Sequence, residues 1–213
     1  MKKLTVVALI LAGLLPAVAT HAQVFGQYVP ADILPTNAHL AGAYLELSEN
    51  VVGALGQLRL SFMPNVDFGF QGGLERLDFG PSTTKTVLQL GGDFRFGVAT
   101  VSAGRPVDVT VGAALGVETS DKYHLLHFGP QMVVSRRFSM SSAASIAPYA
   151  GAMLSFATRD IGSDHTNDVS LPLRVGAELR AIPGMHITAE VQLRLGDDLL
   201  DTTAFTGGVN FPF

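Results

Sequence analysis

Residues 87–97, VLQLGGDFRFG, alternate apolar and polar side chains with a period of two. Such alternation puts successive side chains on opposite faces of an extended strand. The apolar face comprises Leu88, Leu90, Phe94 and Phe96, and the polar face comprises Gln89, Gly91, Asp93 and Arg95. An Arg side chain at the centre of a bilayer costs about 2–4 kcal/mol, so in a membrane this polar face would have to line a lumen.

The same sorting recurs along the chain and predicts further strands of similar length. The clearest are residues 169–180, Met185–Leu195 and the stretch that ends at Phe213. Weaker or less regular strands are predicted over residues 37–48, 53–62, 66–75, 106–118, 123–135 and 142–156. Each is close to the roughly 9–11 residues of a tilted bilayer crossing. We therefore predict an all-β fold, an antiparallel up-and-down transmembrane β-barrel of ten strands, with eight strands as the alternative.

Pro130 and Pro148 lie inside the two least regular stretches. Because proline removes a hydrogen bond from the ladder between strands, we expect each to lie at a bulge or beyond the bilayer edge.

The last eight residues, TGGVNFPF at 206–213, place a polar residue, a glycine, an aromatic residue and a terminal Phe at regular positions. These residues are Thr206, Gly208, Phe211 and Phe213. The pattern resembles the closing-strand signal that the barrel-assembly machinery of Gram-negative bacteria reads on outer-membrane β-barrel proteins. The resemblance is to the broad family of small outer-membrane β-barrels and covers residues 37–213. It implies a protein that stabilises the envelope, binds a ligand through its loops or passes small solutes.

The first 22 residues have the pattern of a secretory signal peptide. Two lysines precede an apolar run over residues 4–15, and small residues allow cleavage after Ala22. The run is shorter than the roughly 20 residues of a membrane-spanning helix, which argues against an uncleaved anchor. Residues 23–36, which contain two prolines, are expected to form a short periplasmic lead-in instead of a plug domain. The predicted location is the bacterial outer membrane.

The composition excludes several classes of function. The chain has no cysteine, so it has no disulfide, no thiolate metal site and no cysteine nucleophile. Its net charge of −4 argues against a nucleic-acid partner. Charged residues make up 15% of the chain, against about 25% in soluble domains. The competing fold, a soluble periplasmic barrel or sandwich, would show the same alternation with the polar face outside.

The connections between predicted strands fall into two groups once the C terminus is placed in the periplasm. The periplasmic turns are then residues 63–65, 99–105, 136–141 and 181–184. The outer connections are residues 49–52, 76–84, 119–122, 157–168 and 196–201. Polar and acidic stretches fall on the outer side, as bacterial barrels usually show.

The predicted inward face carries a charge network of both signs. Its members are Arg59, Arg95, Arg174, Arg180, Arg194, Glu46, Asp67, Glu75, Asp93, Glu178 and Glu190. Because an unpaired buried charge costs several kcal/mol, we expect cross-strand ion pairs. A barrel of about eight strands is only wide enough for its own side chains, which favours an occluded polar core over a selective pore.

The sequence offers few residues that could carry catalytic chemistry. His124 and His127 are three residues apart and so lie on opposite faces of a strand, where they do not form one site. His165 lies in a predicted outer loop and could meet Asp197 or Asp198 in the next. We assign no catalytic, metal-binding or cofactor-binding residue, and expect no cofactor.

Three hypotheses for function follow, and we rank them in order. The first is a structural or surface-binding barrel with a narrow or occluded lumen, the second a small-solute channel and the third an outer-membrane hydrolase. The expected partners are outer-membrane lipid, the barrel-assembly machinery and periplasmic chaperones, with a surface ligand left open and no nucleic acid.

Overall fold

A computed structural model describes residues 28–48, 51–78, 84–102, 106–195 and 202–213. The predicted signal peptide lies outside these residues. The described strands are β1 (His39–Leu47), β2 (Val51–Met63), β3 (Val66–Asp78), β4 (Thr84–Ala99), β5 (Asp108–Ser120), β6 (Tyr123–Ser135), β7 (Phe138–Ser139), β8 (Ser145–Met153), β9 (Ser155–Ile161), β10 (Asp164–Ile182), β11 (Met185–Leu195) and β12 (Thr202–Pro212).

These strands form one closed antiparallel barrel. β8 and β9 follow each other along the same two neighbours, β6 and β10, so together they act as one strand. β12 pairs with β1, from Leu40 opposite Pro212 to Leu47 opposite Phe205, and this pairing closes the sheet. β7 is a two-residue strand that pairs with β8 at one end of the barrel and does not cross the wall, so the barrel has ten strands around its wall. The predicted ten-stranded up-and-down barrel is confirmed, and the eight-stranded alternative is wrong.

The interruption between β8 and β9 lies beside Pro130. Leu154, the residue that separates the two strands, donates its backbone N–H to the carbonyl of Pro130 at 3.0 Å. Pro148 lies within β8, opposite Ala177 of β10. The register of β6 with β8 and β9 continues across Leu154 without a shift, and that of β10 with β8 passes Pro148 without one. The prediction of a bulge at each proline is therefore wrong, because the ladder omits single hydrogen bonds without inserting a residue.

Burial separates the two faces of the wall. Val175 is 60% exposed and Phe70 54% exposed on the outside, whereas Arg59 is fully buried and Arg95 is 1% exposed on the inside. A soluble barrel would bury its apolar face and expose its charged one. The arrangement is that of a transmembrane β-barrel, whose outer band faces hydrocarbon. In the described residues, no helix has the length and apolar character to cross a bilayer.

The prediction of a long loop over residues 157–168 is wrong. β9 continues to Ile161 and β10 begins at Asp164, so a tight turn at Gly162 and Ser163 joins them. Gly162 has a positive φ of 63°, which a glycine adopts without strain. Sequence reasoning ended the strands where apolar residues stop, but ladder hydrogen bonds continue through polar residues once the strands leave hydrocarbon.

The expected lead-in enters the barrel instead of remaining outside it. From Tyr28 onward the segment is described, and Tyr28, Val29 and Ala31 are each at most 3% exposed. We call the end of the barrel where β1 begins and β12 ends the terminal end, and the opposite end the loop end. We call residues 28–34 the inserted segment. It enters the lumen from the terminal end because it precedes β1 directly.

Candidate functional site

The lumen is the candidate site, and one part of it is a cluster of two arginines and two aspartates. Asp67 of β3 lies opposite Arg95 of β4. The Arg95 guanidinium donates to both carboxylate oxygens of Asp67, at 2.9 Å from Nε and 2.6 Å from Nη2. Arg59 of β2 pairs with Asp93 and lies 3.5 Å from Asp67. The two parallel hydrogen bonds between Arg95 and Asp67 fix the relative orientation of the two groups and also pair their charges.

Gly69 makes room for this cluster. It lies between Arg59 on β2 and Asp93 on β4 in the register of the sheet. A Cβ at this position would collide with the Asp93 carboxylate and lie 2.6 Å from Arg59 Nη2. The glycine therefore permits the ion pair to pass over the strand between its partners.

A second cluster lies near the terminal end around Glu178. The Glu178 carboxylate accepts from Arg137 and Arg180, each at 2.8 Å, and lies 3.4 Å from His186 Nδ1. Burial alone would lower the pKa of Arg137, but the nearby carboxylates of Asp32 and Glu178 outweigh burial and raise its pKa. Sequence analysis missed Arg137 because it lies in a turn, outside any alternating stretch.

A third group joins β8, β10 and β11. The Tyr149 hydroxyl donates to Glu190 at 2.7 Å, and Gln192 donates to the other Glu190 oxygen at 2.5 Å. Arg174 lies 3.9 Å from Glu190, at the outer limit of an ion pair. Arg194 was also assigned to the lumen network, but its side chain lies outside the described part.

Three carboxylates lie buried further along the lumen. Glu46, Glu75 and Glu118 are each at most 1% exposed. Tyr123 donates its hydroxyl to Glu118 at 2.9 Å. Within the described residues, the carboxylate oxygens of Glu46 and Glu75 have no hydrogen-bond partner. The structure thus places these two predicted network residues in the lumen, and none of the described cationic side chains pairs with them.

The inserted segment occupies the lumen beside these groups. Arg95 Nη1 donates to the Pro30 carbonyl at 2.7 Å, and the Ala31 N–H donates to Ser135 Oγ at 2.9 Å. The Tyr28 ring packs on the Tyr44 ring with centroids 4.4 Å apart.

Asp32 anchors the same segment at the terminal end. Its carboxylate contacts Arg137 at 2.8 Å and Arg180 at 3.1 Å. The inserted segment is therefore attached to the wall through both its backbone and its side chains.

Apolar side chains fill the lumen at the loop end. The inward face carries apolar residues there, and each is at most 2% exposed: Val51, Leu77, Val87 and Leu125. They form one cluster with Tyr28 and Tyr44, so the apolar layer reaches the inserted segment. Sequence analysis missed this layer because it assigned apolar residues to lipid. The sequence did contain a signal for this layer, because these residues occupy the same alternating positions as the polar, inward-facing residues of their strands.

The fold resembles that of solved membrane β-barrels. An outer-membrane channel from Pseudomonas putida F1 is 10% identical, with 90% of this chain and all of that chain covered and a TM-score of 0.47. The β domain of the Bordetella autotransporter BrkA is 11% identical, with 83% and 98% covered and a TM-score of 0.49. Ail of Yersinia pestis is 15% identical, with 84% and 100% covered and a TM-score of 0.36. No family model and no curated protein sequence matches the chain.

The residues of the predicted closing-strand signal lie on both faces of β12. Thr206 is buried opposite Glu46, whereas Phe211 and Phe213 are exposed. Phe213 donates its backbone N–H to the His39 carbonyl at 3.1 Å. The Tyr44 ring lies directly against Gly208 and occupies the space that a Cβ at this position would need.

The histidines do not assemble a catalytic site in the described residues. His165 lies in β10, where its Nδ1 contacts Asp160 Oδ1 at 2.5 Å across the hairpin, and both side chains are about half exposed. His127 is buried in the lumen, whereas His124 is exposed. Asp197 and Asp198, the candidate partners of His165, lie outside the described residues. Within those residues, no three His, Asp or Glu side chains converge as metal ligands would.

Proposed function

We propose that this chain is an integral outer-membrane barrel protein with a closed lumen, which has a structural or surface-binding role. The observation that carries the proposal is the inserted segment, which is buried inside the wall and bonded to Arg95 and Ser135. The apolar layer behind it adds a second closure at the loop end. An open pore would instead present solvated charges along a continuous path.

The outer-membrane location is supported by two parts of the sequence and by the exposed apolar band. The first 22 residues have the pattern of an export signal, and the last eight have that of a closing strand. Assembly by the barrel-assembly machinery, with help from periplasmic chaperones, belongs to the same proposal. The terminal end then faces the periplasm, and the β9–β10 hairpin faces outward.

A surface-binding role has one structural candidate. The β9–β10 hairpin exposes consecutive residues from Gly162 to Val169. Thr158 and Asn167 are hydrogen-bonded across it at 2.9 Å, so the hairpin is an ordered surface. An exposed hairpin whose polar side chains are held by hydrogen bonds can bind a partner at the cell surface with little loss of conformational entropy.

Planar-bilayer recording tests the closed lumen. The purified protein should insert without producing steady conductance steps, while a general-diffusion porin in the same bilayers should produce them. A gel shift between unboiled and boiled samples should verify that the inserted protein is folded. Reproducible steps from the folded protein would contradict the proposal and support the small-solute channel.

The hydrolase hypothesis has no assembled site to support it. Because the His165–Asp160 pair is exposed and stands apart from the lumen clusters, we expect His165→Ala to leave the folded barrel intact and to abolish no lipid-hydrolysing activity. Loss of such an activity from outer membranes carrying the variant would revive that hypothesis.

A further inference from the structure

A groove on the outer wall is formed by two small residues among large ones. In the register of β3 to β6, Phe70, Gly92, Leu115 and Phe128 follow one another across the wall. The neighbouring row toward the terminal end is Phe68, Phe94, Ala113 and Pro130. Gly92 and Ala113 are thus diagonal neighbours, and both lack the bulk of the side chains around them.

The hollow above these residues has a volume of about 510 Å³. Phe70, Phe94, Leu115 and Phe128 form its walls, each between 39% and 54% exposed. A second hollow of about 470 Å³ shares Phe94 and Pro130 with the first. It continues past Phe96, Val111 and Met132 toward the terminal end. The second hollow also reaches Ala152, Leu154 and Leu171, so the two hollows together form an elongated groove that runs obliquely across the strands from β3 to β10.

We propose that this groove binds one acyl chain of a phospholipid. The groove lies in the apolar outer band, and its large lining side chains are aromatic or aliphatic, so its occupant must be apolar. The elongated shape of the groove fits an extended hydrocarbon chain better than a compact ligand. A second copy of the barrel is a poorer fit, because a stable protein interface takes about 20–30 residues from each partner.

The choice of phospholipid depends on the proposed orientation in the outer membrane. The groove runs from the middle of the wall toward the terminal end, which faces the periplasm in that orientation. The lipids of that leaflet are phospholipids. The proposed lipid site does not depend on the proposal of a closed lumen, because the groove faces lipid whether or not the barrel conducts.

Native mass spectrometry of the full, folded protein in detergent tests the proposal. Phosphatidylethanolamine is titrated in, and the concentration at which one lipid is retained is measured. Gly92→Leu fills the hollow, and its Cβ has room because the nearest atom is the Gly69 carbonyl oxygen at 3.5 Å. Because the new side chain displaces methylene groups from the groove, retention should need about tenfold more lipid.

Ala113→Leu should weaken retention in the same way from the other side of the hollow. Ala189→Leu is the matched control, because it adds the same bulk to an exposed position on β11 and should retain lipid like the unchanged protein. A gel shift on boiling verifies that each variant is folded. Equal retention by all four proteins would overturn the site, and displacement of phospholipid by lipid A at equal concentration would overturn the choice of ligand.

Discussion

Replacing Gly208 with Val should prevent the barrel from closing. β12 and β1 form the seam that completes the sheet, and Gly208 lies opposite Tyr44 there. A Cβ at Gly208 would collide with the Tyr44 ring and the Ala43 carbonyl oxygen. Tyr44 is buried and hydrogen-bonded to Asn210, so displacing its ring would break that hydrogen bond. An unpaired strand edge in lipid leaves backbone groups unsatisfied at several kcal/mol each, so most of the folded form should be lost.

The adjacent glycine provides the control. A Cβ at Gly207 meets nothing within 4 Å, so Gly207→Val should give the same heat-dependent gel shift as the unchanged protein. Refolding in detergent micelles separates this effect from recognition by the assembly machinery. Gly208→Val should fail both in micelles and in cells, whereas removal of Phe213 should fail mainly in cells. Normal refolding of Gly208→Val would show that the seam tolerates the side chain.

Replacing Arg95 with Ala should cost about 3–5 kcal/mol of unfolding free energy, the range observed when one partner of a buried ion pair is removed. Asp67 would lose both of its short contacts to Arg95 while remaining fully buried. The Pro30 carbonyl would also lose its donor, so the inserted segment should loosen. Urea titration of the protein in lipid vesicles, followed by the gel shift, measures the change.

Two further variants identify the cause of that change. Arg136→Ala removes an exposed arginine that lies 5.1 Å from the Phe138 ring centre, and it should cost no more than about 1 kcal/mol. Adding Asp67→Asn to Arg95→Ala should restore part of the lost stability, because a neutral amide is less costly to bury than an unpaired carboxylate. If Arg95→Ala cost as little as Arg136→Ala, the cluster would contribute little to stability.

The wall of the barrel was predictable because alternation is a local property of the sequence. Arg59, Asp67, Asp93 and Arg95 follow the inward phase of their strands, and each lies in the lumen. The strand count followed from the same period combined with the length of a membrane crossing. The sequence did not show which of these charged residues form ion pairs with each other. That depends on the register between neighbouring strands, which the alternation within one strand does not specify.

The contents of the lumen were less predictable because they depend on residues outside the alternation. Asp32 lies in the inserted segment and Arg137 in a turn, yet they contact each other at 2.8 Å. Their sequence separation is 105 residues, so only the closed barrel brings them together. Val87 and Leu125 face inward as apolar residues, which the rule of a polar lumen excluded. That rule describes water-filled barrels, and this lumen is packed with side chains and the inserted segment.

The turn at Gly162 and Ser163 is a suitable site for inserting a peptide tag. A Cβ at Gly162 would meet no atom within 4 Å, and the residues that follow are exposed. Exposed loop tips tolerate insertions because few contacts depend on them. A short peptide tag placed between these two residues would therefore stand clear of the strands. Antibody binding to that tag on intact cells would report the orientation of the whole barrel without altering its lumen.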